Sequence, residues 1–379
     1  MGPIKFGGAY LKIVDSAEMQ RLRHIKQLGF CNVVFPEANH TRFSHSLGTF
    51  YLVDRLENIW RNIDLSREKM AALLHDIGHF PLSHTFESLF THATGVTHEE
   101  IAARIIEGRD GYDDSSIPII IEEAGFSPKE VSELIKGSIG SHGNGTGALI
   151  SGPLDMDEID YLRRDAFFSG VSLGRIDYQR ILNTVTYENG ELLVQEKGLT
   201  SLESLAINRI LMYRTVYFHK TVRIAQNMLL KALEKLDPET IRGFATMDDE
   251  EFLGSIMRYG LTQRAYRMIK RRRLYKVVGV FRYSPEFHRS VSETLEPVME
   301  HSIVDIIPPL NFAGDDRVKG DQKVLTDGGI KLLSEISPLV SSLKESLEYR
   351  KIVISSNPSA LERVKSILSE YKESGLQNR

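Results

Sequence analysis

The spacing of apolar side chains predicts a chain that is mostly helical over its first two thirds. In Asp15 to Leu28, Leu22, Ile25 and Leu28 form one stripe. Gln20, Arg21, Arg23, His24, Lys26 and Gln27 fill the other face, so a helix capped by Asp15 or Ser16 is expected. Val33 to Pro36 is a break. A long helix is expected from Thr41 to Ile59, with Arg42 and His45 one turn apart, and another from Arg67 to His75. Further helices are expected at Thr85 to Phe90, from Thr97 onward, and at Ser127 to Lys136 with Pro128 in its first turn. Asp157 to Phe168 reads as a charged helix, and Leu202 to Leu236 as a long one ending before Pro238.

Strand patterns come later in the chain. Thr184 to Val194 predicts a hairpin turning at Asn189-Gly190. After Asp237 the pattern becomes mixed. Phe252 to Arg273 reads as helix, Lys276 to Phe281 and Ser302 to Ile307 as β-branched runs, and Val324 to Leu347 as a strand followed by helix. Lys351 to Ser355 is a short apolar strand, and Ser359 to Tyr371 an amphipathic helix. A mainly α fold follows, with a helical core over residues 1–236 and a smaller α+β region over 237–379. The glycine-rich stretch Gly137 to Gly152 lacks the Gly-Lys-Ser/Thr ending of a phosphate loop. It reads as a flexible loop, with a cover over the substrate as the lesser alternative.

Composition narrows the function classes. The 379 residues are 41% hydrophobic and 26% charged, with a formal charge of −4 that gives no drive toward bulk nucleic acid or membrane. The lone Cys31 excludes an intrachain disulfide and suits a reducing compartment. No apolar run approaches the roughly 20 residues that span a bilayer, and the opening residues lack a signal-peptide core. A cytoplasmic protein is expected.

The chemistry gathers around Leu73-Leu74-His75-Asp76-Ile77-Gly78-His79-Phe80-Pro81-Leu82-Ser83-His84. Neighbouring His75 and Asp76 point about 100° apart on a helix, so one ion between them needs ligands from other segments. His45 and Asp157 supply them, completing two imidazoles and two carboxylates. Such a mixed nitrogen and oxygen set suits a catalytic divalent ion with open positions, which lowers the pKa of water and neutralises phosphate. His79, His84 and His98 cannot all bind that ion. Some are left to protonate a leaving oxygen, steer water or contact phosphate.

These motifs resemble the HD-domain phosphohydrolases, in the branch of deoxynucleoside triphosphate triphosphohydrolases that includes the sterile-alpha-motif-and-HD-domain enzyme of animals. The resemblance is dense from Asp15 to Lys220. It runs through Gln20 to Gly29, Phe35-Pro36, His40 to Gly48, His75 to His79, Pro81 to His84, His98-Glu99, Asp155 to Tyr161, Arg164-Asp165, Arg214 and Tyr217 to Lys220. No sterile-alpha-motif segment accompanies it. The resemblance implies an HD-domain helical core in which His45, His75, Asp76 and Asp157 bind one divalent ion, whether Mn, Fe, Ni, Zn or Mg. It implies that His79, His84 and His98 surround the scissile phosphate, with Glu87 and Glu99 beside them and His84 leading. Arg42 would hold the α-phosphate. Gln27 would read the sugar 3′-hydroxyl, and Tyr161 would pack on the deoxyribose. Asp165, Arg209 and Tyr217 would complete the pocket. The partners implied are a deoxynucleotide substrate and further copies of the same chain, as dimer or tetramer.

Three departures bear on the substrate. Glu158 stands where the family often has lysine, which weakens the grip on a triphosphate. Phe218 replaces a glutamine near the base. Gly2-Pro3-Ile4-Lys5-Phe6 replaces an Asp-Pro-Ile-His-Gly opening that helps build an activator-nucleotide site, although Asp15, Gln20 and Arg23 match residues that recognise guanine there. The expected reaction is dNTP plus water to deoxynucleoside and tripolyphosphate. Two alternatives stay open: a nucleotide monoesterase or phosphodiesterase on the same ion, and a nucleotide- or nucleic-acid-binding regulator with an idle site, whose best support, the basic run Lys270 to Arg273, reads first as a solvated helix end.

Overall fold

The computed structural model describes residues 3–109, 114–136, 146–308, 321–346, 350–369 and 371. It is mainly helical, with two small sheets. One continuous apolar core runs from Ile13 to Val340, and each fully buried Leu, Ile or Phe in it contributes roughly 1.5–3 kcal/mol. Its spine is the helix Arg42–Trp60, which buries Phe43, Phe50, Leu52, Val53 and Leu56 together with His45. A Cβ on Gly48 would overlap the side chains of Asp160 and Arg164. The bare glycine therefore lets helix Met156–Ser169 cross close by, and that crossing brings Asp157 and Asp160 to His45. Gly78 does the same for helix His98–Glu107, because a Cβ there would overlap the His98 carbonyl and the Ala102 backbone nitrogen.

Local signals hold well at several elements. Asp155 caps Met156–Ser169 by accepting from the Glu158 N–H at 2.8 Å, and Thr97 caps His98–Glu107. Val185–Glu188 and Glu191–Gln195 pair antiparallel around Asn189 and Gly190, at φ 52° and 86°. Positive φ at both central residues is what such a turn requires.

The long predicted helices are broken. Asp15 to Leu28 contains Gly8–Val14's C-cap at Asp15, a helix at Ala17–Arg21 capped by Ser16, and a 3-10 turn at Leu22–His24. Extension begins at Ile25, because Lys26 bridges to Thr41 and the Gln27 N–H donates to the His40 carbonyl at 3.0 Å. Leu202 to Leu236 divides into Leu199–Met212, a π-turn at Tyr213–Tyr217 and Lys220–Leu233, with His219 extended and capping the last. Phe252 to Arg273 divides at extended Tyr259 into Asp249–Ser255, a 3-10 turn and Gly260–Lys270. Helices at Gly8–Val14, Ile117–Glu123 and Tyr178–Thr184 have no counterpart among the elements expected from the pattern. Of the glycine-rich stretch, residues 137–145 lie outside the described residues, and Ala148–Ser151 is a short helix.

The C-terminal region is α+β. Lys276–Arg282, Lys351–Ser356 and Ser302–Ile307 form an antiparallel sheet in that order. Helices Pro285–Leu295 and Leu361–Ile367 help close a second core over it, with Phe281, Phe287, Val291, Leu295, Ile352, Ile354 and Val364 buried. Arg223 ties this sheet to the main body through both oxygens of Asp305, at 2.7 and 2.6 Å. A second sheet crosses the chain's two halves, since Glu191–Gln195 runs parallel to Lys323–Thr326, which pairs with Gly329–Leu332. Among the described residues, no helix is long and apolar enough to cross a membrane.

Candidate metal centre

Two imidazoles meet head to head. His45 and His75 bring their Nε2 atoms to 3.2 Å of each other. The His75 Nδ1 donates to the Ala72 carbonyl at 2.9 Å, and a carbonyl only accepts. The His45 Nδ1 donates to Asp160 Oδ2 at 2.8 Å. In the neutral rings both Nε2 atoms therefore carry lone pairs aimed at one place. Asp157 Oδ1 lies 2.8 Å from His45 Nε2 and 3.8 Å from His75 Nε2. Asp76 completes the set, with Oδ2 3.8 Å from His45 and Oδ1 3.4 Å from His75. Facing lone pairs and carboxylates repel unless a cation lies among them, so these four residues fit a divalent ion. Burial disfavours an imidazolium at His45, yet Asp157 and Asp160, and then Asp76, override it and push its pKa up to about 10. The site draws positive charge.

Asp76 is locked from outside. Arg42 Nη1 donates to both its oxygens, at 2.9 and 2.8 Å, and Arg42 Nε donates to Ser83 Oγ at 2.8 Å. Burial opposes ionisation of Asp76, but Arg42 outweighs it, with help from His75 and His45, and holds its pKa at about 2. Among the described residues, the buried Arg42 Nη2 has no hydrogen-bond partner, nor has Gln27 Oε1.

A second cluster adjoins the first. His79 stacks on His98 at 4.0 Å, and His84 stands edge-on to His79 at 4.8 Å. Glu87 bridges the group, accepting from His84 Nδ1 at 2.7 Å on one oxygen and from His98 Nδ1 on the other. Glu99 lies 3.1 Å from His98 Nε2. Burial, reinforced by Arg42 and the neighbouring histidines, keeps the His79 pKa well below its usual value. Burial also lowers that of His98, against the pull of Glu87. The His84 side chain is 57% exposed, so its ring meets solvent where the others do not.

A third group joins Tyr217, Asp165, His40 and Tyr161. Tyr217 donates to Asp165 Oδ2 at 2.8 Å, and the other Asp165 oxygen lies 2.7 Å from His40 Nε2. Tyr161 packs edge-on to Tyr217 at 6.3 Å. The π-turn at Tyr213–Tyr217 is what brings Tyr217 to this group. Glu158 is buried against Arg209, at 3.3 Å.

Other sequence-marked residues fall elsewhere. Gln20 and Arg23 bond each other at 2.7 Å, and the Arg23 guanidinium lies 3.7 Å over the Phe43 ring. Asp15 is exposed at a helix end. Lys270 to Arg273 is exposed at and past the end of Gly260–Lys270, with Arg272 donating to the Val33 carbonyl. Asp160 is a partner of the site that the motif reasoning misses. Its spacing of one helical turn from Asp157 is the signal that both face His45. His40 is missed as well, and nothing local marks it.

Comparison with known proteins gives the chain's family. Residues 42–165 match the HD domain family, and residues 176–373 match the HD associated region. An uncharacterised protein of Methanocaldococcus jannaschii is 34% identical over 359 residues, covering 89% of this chain and 73% of its own. The SAMHD1 homologue of Dictyostelium discoideum, named a deoxynucleoside triphosphate triphosphohydrolase, is 27% identical over 81% of this chain and 66% of its own. Other curated relatives are matched over about half of their length, 51%. The crystal structure of a phosphohydrolase from Bacteroides thetaiotaomicron superposes with a TM-score of 0.72 at 27% identity, covering 93% of this chain and 96% of that one. The chain thus belongs to the HD-domain phosphohydrolase family, with an HD core followed by the HD-associated region.

Proposed function

We propose that the protein is a metal-dependent phosphohydrolase acting on deoxynucleotides, releasing deoxynucleoside and tripolyphosphate from a dNTP. The observation that carries the reading is the meeting of the His45 and His75 Nε2 atoms, 3.2 Å apart, among Asp76 and Asp157, beside a cluster of three histidines. His45, His75, Asp76 and Asp157 would hold one divalent ion, which when bound supplies charge neutralisation for phosphate and a lowered pKa for water. Arg42 is already fixed by Asp76, so its unpartnered Nη2 can meet a phosphate oxygen without moving. His84 donates from Nδ1 to Glu87, so Nε2 is the nitrogen that would take up a proton from water and, as the imidazolium, give it to the leaving oxygen. Gln27 Oε1 is a buried acceptor that a sugar hydroxyl would satisfy. Tyr161 would crowd a ribose 2′-hydroxyl. Assembly into dimers or tetramers, and activation by a guanine nucleotide at Asp15, Gln20 and Arg23, belong to the same proposal.

One observation favours a second reading. Glu158 neutralises Arg209, so this guanidinium has less charge to spend on a polyphosphate. A monoesterase or phosphodiesterase would tolerate that better. Product analysis on a nucleotide panel with metal-loaded protein separates the readings. Tripolyphosphate supports the first, and orthophosphate from a monophosphate, or a monophosphate from a diester, supports the second. Binding without turnover would reject both in favour of a regulator. Equal kcat/KM for dGTP and GTP would remove the role given to Tyr161 and Gln27.

A further inference from the structure

The histidine cluster sits on a backbone that its own sequence does not favour. Leu82 and Ser83 both adopt the left-handed conformation, at φ 58° and 56°. Neither is glycine, and two consecutive residues of this kind persist only where surrounding structure holds them. The hold comes from far along the chain. Asp249, 4% exposed, accepts from the Leu82 N–H through Oδ1 at 2.6 Å and from the Lys26 N–H through Oδ2 at 3.0 Å. Ser83 Oγ donates to the Lys26 carbonyl at 2.7 Å and accepts from Arg42 Nε. A single carboxylate thus joins the turn, the strand-like segment at Lys26 and, through Ser83, the guanidinium that locks Asp76.

Arg21 completes the attachment. Its Nη2 donates to the His79 carbonyl at 2.9 Å and the Met247 carbonyl at 2.6 Å. Its Nη1 reaches the Ile77 carbonyl at 3.4 Å, and its Nε the Thr246 carbonyl at 2.8 Å. The guanidinium fork therefore fastens residues 77–79 to residues 246–247, immediately before Asp249. A fork with donors on three nitrogens suits this task, and a lysine ammonium does not.

We propose that Arg21 and Asp249 are a positioning pair: the segment at residues 246–249 sets the backbone of residues 77–83 and so aligns His79, His84 and Arg42 for the reaction. This inference rests on the proposed phosphohydrolase function for its kinetic consequence, though not for its structural one. Neither residue touches substrate. Both lie outside the HD-domain match at residues 42–165, and Asp249 belongs to the HD-associated region. The associated region would then be a working part of the site, and separating it would disorder the histidines.

The test uses Asp249→Asn and Arg21→Lys in the full chain. Asparagine keeps the size of the aspartate but sets an amide N–H₂ against one of the two backbone N–H groups. The control is Arg242→Ala, which removes a different tie to the HD core, at the Ala93 carbonyl, and leaves residues 77–83 alone. With dGTP and Mn²⁺, the two test variants should lose about tenfold to a hundredfold in kcat, with KM little changed and metal content retained. Hydrogen exchange should quicken in residues 77–86 in these two variants and stay unchanged there in the control. The control should lower melting temperature without altering kcat. Wild-type exchange across residues 77–86, or a kcat loss no larger than the control's, would overturn the pairing. If the wild-type protein turns over no nucleotide, the phosphohydrolase reading falls, and exchange alone still decides whether Arg21 and Asp249 hold the segment.

Discussion

The two histidine groups lie side by side but are built differently. At His45 and His75, each Nδ1 is committed to a buried acceptor, Asp160 Oδ2 or the Ala72 carbonyl, so each Nε2 has one role. At His84 and His98, both Nδ1 atoms share the two oxygens of Glu87, and one of the two rings is open to solvent. The first arrangement suits a charge that stays in place. The second suits a proton that moves, because a shared carboxylate serves either ring. The difference shows that chemistry here depends less on the number of histidines than on what holds the far nitrogen of each.

The largest expected effect tests the fixed group. His75→Ala or Asp157→Ala should abolish both metal retention and turnover, read by elemental analysis and product formation. Full metal occupancy in either variant would remove these residues from the ligand set. A smaller effect separates the two groups: His84→Ala should keep the metal while losing roughly 10²–10⁴-fold in kcat. Loss of metal in that variant would erase the distinction drawn above. Next comes the residue behind His45. Asp160→Asn should weaken metal affinity by about 10–100-fold, as removal of a ligand's hydrogen-bond partner does. It frees the tautomer without removing the ligand, so unchanged affinity would show that the tautomer is set otherwise.

The smallest effect concerns acid. Burial holds His98 neutral below its usual pKa, with Glu87 opposing. Below about pH 6.5 the unfolded chain binds a proton that folded His98 declines, so stability falls as pH falls through that value and levels off above it. Glu87 acts further down. Against burial, His84 and His98 lower its pKa, and the stability this gives is lost as pH drops below about 4.5. His98→Asn should flatten the melting-temperature profile below about pH 6.5. A slope equal to wild type would mean that His98 titrates alike folded and unfolded.

What the sequence determined by itself was local. The helix start at Thr97, the Asn189-Gly190 hairpin and the His75-Asp76 pair follow from capping, φ preference and spacing within a few residues, while the helix expected from Asp157 begins one residue earlier under an Asp155 cap. The mainly α class with an α+β end follows from the same periodicities. His45 and Asp157, named in the sequence from distant segments, lie beside His75 in space. Tertiary structure decided the rest. The helix expected to Leu28 ends at Ile25 because Thr41 and His40 offer backbone partners that no local rule supplies. Leu82 and Ser83 take a conformation that local preference opposes, because Asp249 lies 167 residues from Leu82 in sequence yet within hydrogen-bond reach. Glu158 meets Arg209 because the helices Met156–Ser169 and Leu199–Met212 pack together. Short-range steric preference is written in neighbouring residues. Which buried charge meets which partner is settled only when packing removes water and leaves each polar group to find the atom beside it.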